Sequence, residues 1–225
     1  MTTSTNFWDK IAEDYSKQPI ADESAYQKKL QVTRQYFQPS MEVLEFGCGT
    51  GSTAIAHAPY VQHIRAIDFS SNMIEIAQAK ANAQNIPNVT FEQASIDELS
   101  VPDQTYDVVL GLNVLHLLAN KEEAIAKVYN LLQPGGLFIT STVCLGETMA
   151  WFKLIAPIGK FLGLFPLVKV FTIKDLERSL TDAGFAIDYQ WQAGDYQSPI
   201  GNAKILFIVA KKSESKMLIT EGIHR

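Results

Sequence analysis

A chain of 225 residues makes one large domain, or one domain with an insert, and 47% hydrophobic against 19% charged residues is the composition of a globular protein. Nineteen basic and 24 acidic residues give a net charge of −5, which lacks the basic footprint of a nucleic-acid binder. Two cysteines, Cys48 and Cys144, make neither a disulfide framework nor a zinc site, and the opening MTTSTNFWDK has no signal-peptide core, so a reduced, cytoplasmic setting is expected with no metal.

The chain alternates between helical and strand patterns. Residues 27–37 read as a helix, and 41–46 as a short apolar strand that ends at a glycine turn. A helix over 52–58 is stopped by Pro59, and a second strand covers 64–68. The stretch 71–85 repeats Ile74, Ala77 and Ala81 at helical spacing, with Ser70 or Ser71 as its cap. Strands follow at 89–93 and 106–110, the latter apolar as a buried parallel strand should be. A helix over 121–132 ends at Pro134-Gly135-Gly136, and a fifth strand covers 137–143. After a long apolar insert come a helix at 174–183 and two late strands, 185–192 and 204–210, around a polar loop at 194–202. This order predicts an α/β fold: a Rossmann-like, seven-stranded, mostly parallel sheet with helices on both faces and a reversed hairpin at one edge. One domain is expected over 1–212, followed by a loosely held tail at 213–225.

The most informative stretch is Val43-Leu44-Glu45-Phe46-Gly47-Cys48-Gly49-Thr50-Gly51. A strand runs into three glycines and then a helix, which permits a tight turn and close backbone approach to a ligand. A bare βα turn would explain a lone G-x-G. Here Asp68 ends the next strand 17 residues after Gly51, where a carboxylate can accept both hydroxyls of a ribose. The spacing is G-x-G-x-G, neither the dinucleotide G-x-G-x-x-G nor a Walker loop with its lysine. Glu45 ahead of the glycines would repel a pyrophosphate and suits an amino-bearing or cationic ligand.

Four stretches in order, VLEFGCGTG at 43–51, AIDFSSNMIEIAQAKA at 66–81, YDVVLGLNVLHLL at 106–118 and LLQPGGLFI at 131–139, resemble the class I S-adenosylmethionine-dependent methyltransferases. The likeness is greatest to the small-molecule group that includes the ubiquinone and menaquinone biosynthesis methyltransferases. FWDKIAEDYS at 7–16 is similar to that family's cofactor-covering segment, which would occupy about 1–38. The resemblance implies S-adenosylmethionine as cofactor, with S-adenosylhomocysteine as product. It implies that Gly47, Cys48, Gly49 and Gly51 lie against the methionine part and that Glu45 meets its amino end. It implies Asp68 at the ribose, Phe69 and Met73 beside the adenine, and Tyr15 closing over the carboxylate. The family often has an aspartate reaching the adenine amino group where this chain has Ser95, followed by Ile96; a serine replaces one hydrogen bond but not the charge. Leu112 and Asn113 match the place where cofactor and acceptor meet.

Methyl transfer needs in-line alignment more than side-chain chemistry. A general base is required only where the acceptor must lose a proton, and His116, just past Asn113, is the candidate because an ordinary histidine titrates near neutral pH. His57, His63 and His224 look peripheral.

The stretch TVCLGETMAWFKLIAPIGKFLGLFPLVKVF at 142–171 holds an apolar insert, about 144–172, that concentrates Trp151, Phe152, Phe161 and Phe165. Its spaced lysines and prolines break any spanning helix. It reads as a helical cap on the sheet, as a lid lining an acceptor pocket with those four aromatics, or as an interfacial segment touching a membrane transiently through 151–171. The expected activity is methyl transfer to a small hydrophobic or aromatic acceptor. The alternatives are a nicotinamide-dependent oxidoreductase and a catalytically silent cofactor-binding protein. Nothing in the sequence sets the oligomeric state or the methylated atom.

Overall fold

The computed structural model describes residues 3–161, 166–198 and 201–214. Two helices, α1 (Thr3–Lys17) and α2 (Glu23–Arg34), precede an alternating series. That series is β1 (Glu42–Phe46), α3 (Ser52–His57), β2 (His63–Asp68), α4 (Ser71–Ala83), β3 (Val89–Gln93), β4 (Tyr106–Leu112), α5 (Lys121–Leu131) and β5 (Leu132–Cys144). Then come α6 (Phe152–Phe161), α7 (Ile173–Asp182), β6 (Phe185–Ser198) and β7 (Gly201–Lys212).

The seven strands pair in the order β3-β2-β1-β4-β5-β7-β6. The first five are parallel to one another, and β7 lies antiparallel between β5 and β6. Alternation along the strands divides the core in two. Val43, Val108, Leu110 and Ile139 face α2, α3 and α4, while Leu44, Phe46, Val109 and Phe138 face α5 and α7. Both faces of β1 and β4 are covered, which is why those strands read as unbroken apolar runs. A Leu44→Ala change in this packing would cost roughly 2–5 kcal/mol.

Polar side chains start the helices. The Ala25 N–H donates to Asp22, the Met73 N–H to Ser70, the Glu123 N–H to Asn120, and Thr172 with Asp175 forms a capping box on α7. The strand order reverses between β1 and β4, and the carboxyl ends of these two strands are where a ligand crevice is expected in an open α/β sheet.

Two features differ from the sequence expectation. The polar loop expected at 194–202 is largely strand, because β6 and β7 pair out to Ser198 and Gly201 with shifts at Ile187/Tyr189 and Gln192/Asp195. The N-terminal segment holds a helix, α1, packed on α4. The insert leaves β5 at Cys144 and returns before α7, and its two ends meet where the Gly146 N–H donates to the Phe171 carbonyl at 2.9 Å. Most of the expected tail lies outside the described residues.

Candidate functional site

At the carboxyl end of β1 the chain turns through Gly47, Gly49 and Gly51, all with positive φ. Gly51 (φ 74°) is fixed by packing, since a Cβ there would stand 2.6 Å from the Phe91 ring and 2.7 Å from Ala77. Gly49 (φ 53°) is different: its Cβ position faces open space, with only the Tyr15 ring at 4.0 Å. The backbone is bare on that side, which is a cradle for a close-lying ligand. Lys80 of α4 braces the loop from behind, donating to Thr50 Oγ1 at 2.9 Å.

Asp68, at the end of β2, ties this loop to its own. One carboxylate oxygen accepts the Gly49 N–H at 2.9 Å and the other accepts the Ser70 N–H at 2.9 Å. The group is buried, and burial raises its pKa against the lowering effect of those bonds. Each oxygen keeps a lone pair for a further donor. Glu45 is buried at 3% exposure one strand away, and its Oε2 is out of water with no hydrogen-bond partner. Burial, then the neighbouring Asp68 charge, push its carboxyl up to about 8. An unpaired buried carboxyl beside an open backbone is a site lacking its donor, and a cationic amine supplies both charge and hydrogen bonds.

The N-terminal helices close over this ground. The Ser70 hydroxyl donates to Asp9 Oδ1 at 2.6 Å, and Asn72 Nδ2 donates to the Asp9 carbonyl at 2.9 Å, which fastens α1 to the start of α4. Tyr15 lies over Gly49 and packs edge-on against Trp8. From α2, Tyr26 reaches the same place; its hydroxyl bonds to Thr53, and burial and the Glu45 charge raise its pKa. The sequence reading missed Asp9 and Tyr26. Asp22, three residues before Ala25, was the cap signal that would have begun α2 early enough to include Tyr26.

The expected adenine side is less open. Met73 is buried in the packing and Ile96 belongs to the opposite core cluster. Phe69 is half-buried, with its carbonyl accepting Gln93 Nε2. The Ser95 hydroxyl donates to Glu98 and accepts the Glu98 N–H at 3.2 Å, so it caps its own turn. Cys48 is buried and its thiol is raised well above the ordinary range by burial.

At the end of β4, Leu112 is half-buried and Asn113 is exposed with φ 57°. The Asn113 N–H donates to the Ser141 carbonyl at 2.6 Å, joining the tops of β4 and β5. His116 follows in a single 3-10 turn; its Nδ1 is buried without a partner, and burial lowers its pKa to about 4. It is therefore neutral at physiological pH. Its carbonyl accepts the Lys169 N–H at 2.7 Å, which links this turn to the returning arm of the insert.

The four insert aromatics do not share one environment. Phe152 is buried against Met149 and Ala156, whereas Trp151 is 48% exposed. Phe161 ends α6 at the edge of the described residues, and Phe165 lies outside them.

Residues 43–136 match the family model described as a methyltransferase domain. The chain is 30% identical over 139 residues to the uncharacterized methyltransferase YcgJ of Bacillus subtilis, covering 62% of this chain and 54% of that one. It is 26% identical over 177 residues to the demethylmenaquinone methyltransferase of Symbiobacterium thermophilum, covering 74% and 68%. The YcgJ crystal structure superposes with a TM-score of 0.68 at 17% identity, over 84% of this chain and 99% of that one. The [4+2]-cyclase SpnF superposes at 0.69 and 18% identity, over 84% and 81%. These superpositions speak to the fold. The chain spans about half the length of most of the curated relatives it matches.

Proposed function

We propose that this chain, whose residues 43–136 match a methyltransferase domain, works as a class I S-adenosylmethionine-dependent methyltransferase and moves a methyl group from S-adenosylmethionine to a small hydrophobic or aromatic acceptor. The observation that carries this reading is the unpaired, buried Glu45 carboxyl beside the open backbone of Gly49, with Asp68 next to both.

The residues present fit the cofactor. Glu45 would take the methionyl ammonium, and the spare lone pairs of Asp68 would take the ribose hydroxyls. When bound, S-adenosylmethionine supplies a methyl carbon made electrophilic by its sulfonium sulfur. Everything else falls to the chain. Tyr15 and α1 exclude water above the glycine loop, and Asp9 holds α1 down. Asn113 sits at the open end of β4, where an acceptor can be oriented in line. Orientation and desolvation of this kind supply on the order of 7–11 kcal/mol in favourable cases. For a phenolic or enolic acceptor, His116 has a free Nδ1 that can take the proton; its low basicity makes it a weak base whose main use is accepting a hydrogen bond from the hydroxyl. The return arm of the insert, joined at Lys169 to the His116 carbonyl, brings the partly buried Val168 and Val170 toward this end, which favours a lipophilic acceptor. The names of the quinone-pathway relatives point the same way.

The test is calorimetric titration with S-adenosylmethionine and S-adenosylhomocysteine, with NAD and NADP as controls. Micromolar affinity for the sulfur nucleosides alone is expected. Binding of the dinucleotides instead would replace this reading with the oxidoreductase. A single-turnover assay with the labelled methyl group and a panel of quinols and phenols then separates a transferase from a silent binder. That assay is needed because a cyclase has the same fold.

A further inference from the structure

The insert carries a surface that methyl transfer does not use. On α6, Phe152 and Ala156 are buried with Leu145, Met149 and Ala203, and they hold the helix on the β5–β7 end of the sheet. The other side of the same turn is apolar and open to solvent: Trp151 is 48%, Leu154 78% and Ile155 40% exposed. These three adjoin one another, and Trp151 is fixed edge-on against Phe152 at 6.0 Å. Single exposed apolar residues need no explanation, but a Trp-Leu-Ile cluster on one short helix does.

Charge identifies what covers it. The chain as a whole is acidic, yet residues 148–174 contain four lysines, Lys153, Lys160, Lys169 and Lys174, and no acid. Of these, Lys153, Lys169 and Lys174 are exposed. The acids that bracket the stretch are already engaged: Glu147 accepts the Ile173 N–H at 2.7 Å, and Asp175 accepts the Thr172 N–H in the α7 cap. A basic, apolar face on an acidic protein is complementary to an anionic bilayer surface, where tryptophan sits at the headgroup level and lysines meet lipid phosphates. No helix among the described residues is long and apolar enough to cross a membrane.

We propose that the face at the start of α6, formed by Trp151 just before the helix with Lys153, Leu154 and Ile155 of it, docks reversibly on anionic lipid bilayers. The return arm of the same insert is bonded to the His116 carbonyl, at the rim of the site. A lipophilic acceptor would leave the bilayer beside that rim. The docking itself does not rest on methyl transfer, since it is measured without cofactor.

The experiment is vesicle flotation with the full chain, using phosphatidylcholine alone and phosphatidylcholine with one-third phosphatidylglycerol. Wild type is expected to float with the anionic vesicles, to do so less in high salt, and to stay in solution with the neutral ones. Leu154→Asp, at an exposed position that does not endanger folding, is expected to weaken the partition about tenfold, the scale of one withdrawn leucine side chain. Lys153→Glu should weaken it and remove much of the salt dependence. The proposal is overturned by absence of flotation with anionic vesicles, by equal flotation of Leu154→Asp, or by a wild-type dimer that Leu154→Asp converts to monomer. The last outcome would assign the face to a second copy. Unchanged titration of Leu154→Asp with S-adenosylhomocysteine shows that the variant is folded, and keeps a failed docking separate from a failed cofactor site.

Discussion

The Asp68 carboxylate accepts the Gly49 N–H at 2.9 Å, so the residue proposed to hold a ribose also sets the backbone of the glycine loop. Loss of Asp68 therefore removes two things at once. Asp68→Ala is expected to lower affinity for S-adenosylhomocysteine by more than about a hundredfold, from two charged hydrogen bonds worth roughly 1.5–3 kcal/mol each. It should also lower the melting temperature, because the Gly49 and Ser70 amides lose their acceptor. Calorimetry and thermal denaturation read the two effects separately, and unchanged affinity would take Asp68 out of the site.

Glu45 gives opposite pH trends for stability and binding. Its folded pKa of about 8 lies above the ordinary carboxylate value of 4.5, so the folded chain holds a proton that the unfolded chain has released. Stability from this group is full below about pH 4.5 and falls as pH rises toward 8. The loss is on the order of a few kcal/mol. Binding of a cation favours the ionised form, so affinity should climb over the same range. Glu45→Gln should flatten the stability profile between pH 5 and 8 and abolish the climb. Denaturant titrations and calorimetry at several pH values check both.

His57 is buried with both ring nitrogens unpartnered and its ring edge-on to Phe37 at 5.0 Å. Burial first, then the nearby Arg34 charge, lower its pKa to about 3. The unfolded chain protonates it near 6.5, so its contribution to stability is full above that value and is lost as pH falls toward 3. His57→Phe is expected to stabilise the protein by about 1–3 kcal/mol at neutral pH, by removing two unsatisfied polar atoms, if the larger ring is accommodated. It should stabilise more at pH 5. His57→Leu serves as the smaller control, and urea unfolding measures both.

Gly49 and Gly51 should separate folding from binding. Gly51→Ala forces a Cβ to 2.6 Å from Phe91 and is expected to cost more than 3 kcal/mol of stability. Gly49→Ala meets nothing closer than 4.0 Å, so its effect on stability is only that of the left-handed backbone, about 1–2 kcal/mol. Its methyl group fills the cradle, and affinity for S-adenosylhomocysteine should fall at least tenfold. Equal affinity would show that the ligand does not approach that amide.

Much of this was readable in the chain itself. The strand β1, its glycines and Asp68 were legible because sterics and burial at those positions leave few residue types possible. The pairing of β6 with β7 beyond Gln192 was not, because Asp195–Ser198 and Gly201–Lys204 are mostly polar and are paired by ladder bonds that have no side-chain signature. Tyr26 was lost to an error of four residues at the start of α2, an end fixed by the Asp22 cap and not by periodicity. Asp9 contributes through a contact with Ser70 across 61 residues, and no local pattern records such a distance.

The meeting of Gly146 with Phe171 has a consequence for how such a protein can change. A Cβ at position 146 would fall 2.6 Å from the Phe171 carbonyl carbon, so the two ends of the insert touch backbone to backbone. A segment whose ends already coincide adds little closure entropy when it lengthens or shortens. The insert is thus an exchangeable cassette: replacing 147–170 with an unrelated sequence of similar span should leave the sheet, the glycine loop and Asp68 in place while altering what reaches the end of β4.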